Sequence, residues 1–312
     1  MNSIISAFRM IIPKRIQFGF LSLSWTWFFG MLSIAFVTAI WGYGNVVIRL
    51  GENEIPPGIL LWMRFGIASI LMIPAILHTR LSPRIWLIGL GTGALLGLSV
   101  LAQGFAMMTV SVDEVAFITA LYVVFTPLLV SLLHKKRPSK LVWVAIILSL
   151  AGATLLIGKL SLNLQFGVLF ALIAAIGISG QIIGTSMLAN NISSLQLTSI
   201  QSIGAGVTMT LAVFFQSLFQ PAVFKGVFHW SLIQWVWIGY LVIFATIIAC
   251  FLQSWGQARI SATEAALAFN MEPVWTAIFA WVILFEKMTM IQVIGAVLII
   301  SSLTIVSKPT LK

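Results

Sequence analysis

The apolar run ALAFNMEPVWTAIF, residues 266–279, carries a single carboxylate, Glu272, directly before Pro273. Proline removes a helical N–H and leaves the carbonyl one turn earlier, near Phe269, without its partner. Near the middle of a bilayer an ionised carboxylate costs about 2.5 kcal/mol or more unless it is hydrated or paired. Three roles fit such a group: a hinge or hydrogen-bond partner between helices, a contact for a cationic or zwitterionic substrate, or the carrier of a coupling proton. Asn270 stands two residues earlier, a helical step of about 200°. Asn270 and Glu272 therefore point to opposite sides unless the proline bends the helix. Gln103, Gln181 and Gln253 place amides in similarly apolar runs. An amide turned to lipid wastes two donors and an acceptor, so each must meet another helix or a wet cavity. Trp41, Trp255, Phe105, Phe117 and Phe269 offer apolar walls for such a cavity, or plain packing between helices. Arg64 falls about 9 Å inside its run, near enough the surface for its guanidinium to snorkel to headgroups, with an acidic partner as the alternative.

The elements that must carry these side chains follow from composition. Of 312 residues 60% are hydrophobic and 8% charged, and the mean hydropathy is +1.10, too little polar surface to cover a water-soluble globule. The charges are grouped and separate uncharged stretches of roughly 20 residues, the length of helix that crosses about 30 Å of hydrocarbon. Barrel strands would alternate over about ten residues and leave no such runs. Ten spans result, at about 30–49, 58–78, 85–108, 113–133, 140–158, 166–188, 195–219, 232–257, 263–285 and 289–307. Pro56, Pro57, Pro83, Pro138 and Pro221 mark loops or helix starts. Residues 1–29, with Arg9, Lys14 and Arg15 followed by Trp25 and Trp27, read as a cytoplasmic lead-in ending in an aromatic belt rather than a cleaved signal. With that end inside, alternate connections and the termini hold twelve Lys and Arg against four on the opposite side (Arg49, Lys159, Lys225 and Lys287). That asymmetry puts both termini in the cytoplasm.

The chain also repeats. Residues 101–156 slide by 150 positions onto 251–306 without a gap, with eight identities in 56, among them Gln103 on Gln253, Ser111 on Ser261, Glu114 on Glu264 and Thr126 on Thr276. Tyr122, five residues before Pro127, is the positional counterpart of Glu272. A looser match sets AIWGYGN (39–45) beside AIGISGQ (175–181). Five spans per repeat is an odd number, so the second half runs through the membrane in the opposite sense, the arrangement many transporters use to build two gates around one site. Pro127 and Pro273 miss superposition by four residues, about one turn, which predicts bends at unequal depths in the two halves.

AIWG in the first span, PPGILLWMRF entering the second, Gln103-Gly-Phe-Ala with SVDEVAFITALYVVFTPLL across the third and fourth, and SATEAALAFNMEPVWTAIFAWVILFEK in the ninth together resemble the EamA-like branch of the drug/metabolite transporter superfamily. The resemblance covers about residues 30 to 307. It implies an all-α integral membrane protein of ten transmembrane helices in two inverted five-helix repeats, 30–158 and 166–307, around a central cavity lined mainly by helices 1, 3, 4, 6, 8 and 9.

Several other chemistries are excluded or disfavoured. GLGTGALLG (89–97) follows no strand and suits close helix packing better than phosphate binding. His78, His134 and His229 lie at separate span ends and form no metal constellation. Glu52, Glu54, Asp113 and Glu264 fall at loops or helix starts, where carboxylates suit exposed N–H groups. The +10 net charge is spent on topology, and HKKRPSK (134–140) reads as a solvated loop near anionic headgroups rather than a nucleic-acid surface. Trp235 and Trp237 suit an interfacial belt. The sequon at Asn191 falls in a loop expected to be cytoplasmic, and the lone Cys250 allows no internal disulfide and suits inert packing. No cofactor is implied and no nucleotide-binding domain is present, so ATP is not the direct energy source. The leading reading is a secondary permease of the inner membrane, an exporter of small amphipathic metabolites such as amino acids, working by alternating access. Trp41, Gln103, Tyr122, Gln181, Gln253, Asn270 and Glu272 are its candidate substrate-binding residues. Its partners are the small-molecule substrate and the lipid bilayer, as a monomer or homodimer. The alternatives are import of a nucleotide-like or sulfonium metabolite, a passive channel, and a membrane-embedded enzyme acting on lipid.

Overall fold

A computed structural model describes residues 20–51, 55–157, 165–219 and 230–306. Arg9, Lys14, Arg15, Glu52, Glu54, Lys159, Pro221, Lys225, His229, Lys308 and Lys312 lie outside the described residues. Within them the chain is helical: α1 (Phe20–Gly51), α2 (Pro57–Met72, with a 3-10 turn at Ile73–Ala75), α3 (Pro83–Ala106), α4 (Val112–Ala120), α5 (Tyr122–His134), α6 (Lys140–Ile157), α7 (Phe166–Leu188), α8 (Ser194–Phe219), α9 (Leu232–Val242), α10 (Ala249–Gln257), α11 (Ala262–Phe269), α12 (Glu272–Ile283) and α13 (Met290–Val306). The pairs α4/α5, α9/α10 and α11/α12 are each one broken span. Among the described residues nine spans are long and apolar enough to cross a membrane, and Met290–Ile305 is a shorter tenth. Helices satisfy every interior backbone group within one segment, which is why apolar runs take this form in lipid. The first helix starts earlier than composition suggests, so Trp25 and Trp27 stand on α1 rather than in a lead-in before it.

The packing shows a two-fold exchange. α1 packs on α10 and α12 as α7 packs on α3 and α5, while α2 pairs with α8 and α6 with α13. Exchanging each of the first five spans with the span five places later returns these pairings. Gly152 of α6 and Gly295 of α13 allow one close approach, since a Cβ on either would stand 2.6 Å from the other's carbonyl oxygen. Gly93 and Gly97 of α3 lie against Gln201 and Thr208 of α8, the close packing that small residues permit between membrane helices.

Local signals recur at the 150-residue offset. Ser111 with Glu114 caps α4, and Ser261 with Glu264 caps α11, each as a reciprocal capping box. Lys135 and Phe285, which close the spans α4/α5 and α11/α12, are the two non-glycine residues of positive φ among the described residues, at 53° and 57°. The break between α4 and α5 falls at Leu121 and that between α11 and α12 at Asn270–Met271. The prolines led to an expectation of unequal bends, and the structure corrects it. Pro273 sits in the first turn of α12, where its missing N–H costs little, and Pro127 is carried inside α5. The breaks follow the repeat rather than the prolines.

One feature does not recur. Between α9 and α10 the chain widens into a π-helical segment, Ile243–Ile248, whereas the counterpart stretch, residues 93–98, is ordinary α-helix within α3.

Candidate functional site

The π-helical segment builds the polar centre of the molecule. Thr246 donates its hydroxyl to the Leu241 carbonyl five residues back, at 2.8 Å. In the widened turn the Ala245 carbonyl accepts two side-chain donors, Trp41 Nε1 of α1 and Arg64 Nη2 of α2, each at 2.9 Å. Arg64 also donates from Nε to Thr246 Oγ1 at 2.8 Å. Arg64 therefore turns inward and does not snorkel to headgroups: two fixed acceptors on a neighbouring helix outweigh the reach to the surface. π-helical turns of this kind occur frequently at functional sites.

Facing this group, Asn45 of α1 donates from Nδ2 to Glu272 Oε1 at 2.9 Å and to Thr276 Oγ1 at 3.1 Å. Glu272 opens α12, so the helix break delivers its carboxylate. Arg64 and Glu272 form no ion pair with each other. Asn45 is exposed although Gly44, Val46 and Val47 beside it are buried, and Arg64, Glu272 and Thr276 are half-exposed. Trp41 lies against Phe269, ring centroids 5.4 Å apart. Tyr240 donates to the Ile40 carbonyl at 2.8 Å and packs edge-on to Tyr43, which meets Phe279 in the same way, at 4.8 and 5.6 Å. Toward the nearer end of the bundle, Arg49 and Glu286 form an exposed ion pair of 2.9 Å.

A second polar cluster lies toward the opposite end. Gln253 of α10 donates to Gln181 Oε1 at 3.2 Å and to Gln257 Oε1 at 2.9 Å. Gln257 donates to the Ile182 carbonyl at 3.0 Å and to Ser186 at 2.8 Å. Thr185 accepts from Gln181 and from Gln201 of α8, at 3.2 and 2.7 Å. Gln181, Gln201, Gln253 and Gln257 are all at most 3% exposed. The matched heptads AIWGYGN and AIGISGQ set Asn45 opposite Gln181, so one member of each cluster holds a repeat-related place, while Gln103 and Tyr122, the counterparts of Gln253 and Glu272, belong to neither cluster.

The seven side chains selected from sequence fall into four places. Trp41 and Glu272 belong to the charged cluster, and Gln181 and Gln253 bond to each other in the amide cluster. Asn270, buried, donates to Ser149 at 2.6 Å and accepts from Tyr122 at 3.5 Å, tying the two helix breaks to α6. Glu272 and Asn270 leave the break on opposite sides, as the 200° step requires. Gln103 bonds only weakly to the Ser99 carbonyl of its own helix, at 3.4 Å, and stands apart from both clusters. Asn45, Arg64, Thr246 and Thr276 complete the site and were not among the candidates. One signal pointed to Arg64: it and Glu272 are opposite charges set in otherwise uncharged spans, and such charges tend to meet.

The sequence pattern of the EamA-like transporter family matches residues 28–158 and again 165–308. The protein belongs to the EamA-like transporter family. An uncharacterized transporter of Archaeoglobus fulgidus is 26% identical over 88% of this chain and 85% of its own. The uncharacterized inner membrane transporter YedA of Escherichia coli is 32% identical over 71% of each chain, and the uncharacterized transporter YoaV of Bacillus subtilis 25% over 86% of this chain and 93% of its own. One solved protein structure superposes with a TM-score of 0.73 at 19% identity, covering 91% of this chain and 98% of the other, which establishes the shared fold. As an EamA-like protein the chain is a multi-span membrane transporter, and the two matches coincide with the halves that the packing exchanges.

Proposed function

We propose that this EamA-like protein is a secondary permease of the inner membrane that exports small amphipathic metabolites, amino acids foremost, by alternating access, with both termini cytoplasmic. The observation that carries the reading is a partly buried carboxylate and a partly buried guanidinium that form no ion pair and are each bonded to neutral groups instead. A zwitterion supplies both missing charges at once, its ammonium to Glu272 and its carboxylate to Arg64, with Trp41 against its side chain. Charge-assisted hydrogen bonds of this kind are the strong ones. Arg64 favours the zwitterion over a purely cationic sulfonium, which the acid alone would suit.

The amide cluster is the closure at the cytoplasmic end in this state. Neutral amides can exchange partners as helices shift without stranding a charge in hydrocarbon, so Gln181 and Gln253 meet the substrate when that end opens. Tyr122 and Asn270 hold the pivots, and Gln103 lies on the route beside α3. Reconstituted protein tests the reading. Preloaded radiolabelled amino acid should exchange with saturating kinetics in wild type and fail to exchange in Glu272→Gln, while both insert equally. Non-saturating flux, or full exchange in the variant, contradicts it.

A further inference from the structure

α3 and α5 each pack on α7 yet barely touch each other. The gap is a groove of about 610 Å³, within the range of sites that hold a small ligand, about 300–1,000 Å³. Ile88, Leu95, Leu98, Leu132 and Met187 line it, over a floor that includes Gly180 and Gly184 of α7. The one hydroxyl among the lining residues, that of Thr92, is spent on the Ile88 carbonyl at 2.7 Å. The groove lies on the flank of the bundle: Leu98 and Leu132 are 54% and 75% exposed, and a Cβ built on Gly91 meets nothing within 4 Å.

The related space in the other half is full. There Tyr43, Tyr240 and Phe279 interlock, where the repeat sets Ser179, Leu90 and Leu129 in the first half. Of these three Leu129 lines the groove, so one ring of the other half is an aliphatic side chain here.

One end of the groove is cationic. Arg84 stands one turn before Ile88 on the same face of α3, and Lys135 and Lys136 follow directly on the end of α5. All three are exposed. The N-terminus of α3, starting at Pro83, adds the positive end of its dipole at the same level. Ile88 to Leu98 runs about 15 Å along the helix axis.

The geometry points to a binding site for one anionic phospholipid, its acyl chain lying in the groove and its phosphate held by Arg84, Lys135 and Lys136. Exchange of one apolar contact for another gives a lipid tail no preference for the protein. Selectivity must come from the headgroup, at roughly five-fold per cation near the surface.

The test is native mass spectrometry of protein exchanged into nanodiscs of phosphatidylglycerol and phosphatidylcholine in equal parts, and then released in mild detergent. Wild type should retain one phosphatidylglycerol. Gly91→Phe should lose it by filling the groove, and Gly239→Phe, whose Cβ also meets nothing within 4 Å, should keep it. Leu132→Trp fills the groove from the α5 wall and replaces Gly91→Phe should that variant not fold. Arg84→Gln with Lys136→Gln should cut the preference for phosphatidylglycerol by an order of magnitude or more. Equal retention of the two lipids by wild type overturns the proposal, as does phosphatidylglycerol held equally by the groove-filled variants. A dimer present in wild type and lost in Gly91→Phe places a second copy in the groove and overturns it too.

Discussion

The charged cluster around Glu272 and the amide cluster around Gln253 share one repeat-related pair, Asn45 and Gln181, yet they differ in charge and in burial. Asn45 is exposed and Arg64 and Glu272 are partly buried, whereas Gln181, Gln253 and Gln257 are at most 3% exposed. The difference arises from few residues. At the 150-residue offset Glu272 replaces Tyr122, and the widened turn at Ile243–Ile248 replaces regular helix. The first change introduces a charge, and the second frees a carbonyl to fix its opposite. A duplicated scaffold thus supplies the shape twice, and local departures from the duplication supply the chemistry once.

The largest effect should come from exchanging the chemistry at the related positions. Glu272→Gln is expected to lower exchange at least ~10-fold, the scale of one charged hydrogen bond worth about 1.5–3 kcal/mol. Tyr122→Phe, at the counterpart position, should change exchange less than about three-fold, because it loses only one 3.5 Å hydrogen bond. Equal losses in the two variants would mean that the halves share the binding. Arg64→Gln should come next, with exchange down about ten-fold and the protein less stable, since Ala245 and Thr246 lose a charged donor. Proteoliposome exchange and a thermal melt measure both parts. Gln253→Leu removes the hub of the amide closure and leaves Gln181 and Gln257 without a donor. Alkylation of the buried Cys250, one turn away, should become several-fold faster than in wild type. The smallest effect belongs to Arg49→Gln at the mouth. The exposed pair with Glu286 is worth about 0–1 kcal/mol, so exchange should shift less than about five-fold and lose its salt dependence.

Much of this was legible in the sequence. Hydropathy alone separates ten spans, and Ser111, Glu114, Ser261 and Glu264 mark repeated helix starts because a capping box needs specific residues at fixed spacing. The breaks were misread because proline was taken as their cause, whereas a proline in a first turn costs little and membrane helices tolerate one inside. The π-helical turn IFATII has no compositional mark; it shows only in the hydrogen bonds of Thr246 and Ala245. Arg64 was misplaced because depth along a helix does not say which way a long side chain reaches. Asn45 was passed over within AIWGYGN for want of a visible partner, and that partner lies 227 positions away.

The most direct test is thermal stabilisation of the purified protein by a panel of amino acids, the matching amides without the carboxylate, and the matching acids without the amine. The account predicts that only molecules carrying both charges stabilise wild type. It also predicts that Glu272→Gln abolishes the advantage of the amine, and Arg64→Gln that of the carboxylate. Equal stabilisation by all three classes, or an unchanged ranking in both variants, would contradict it.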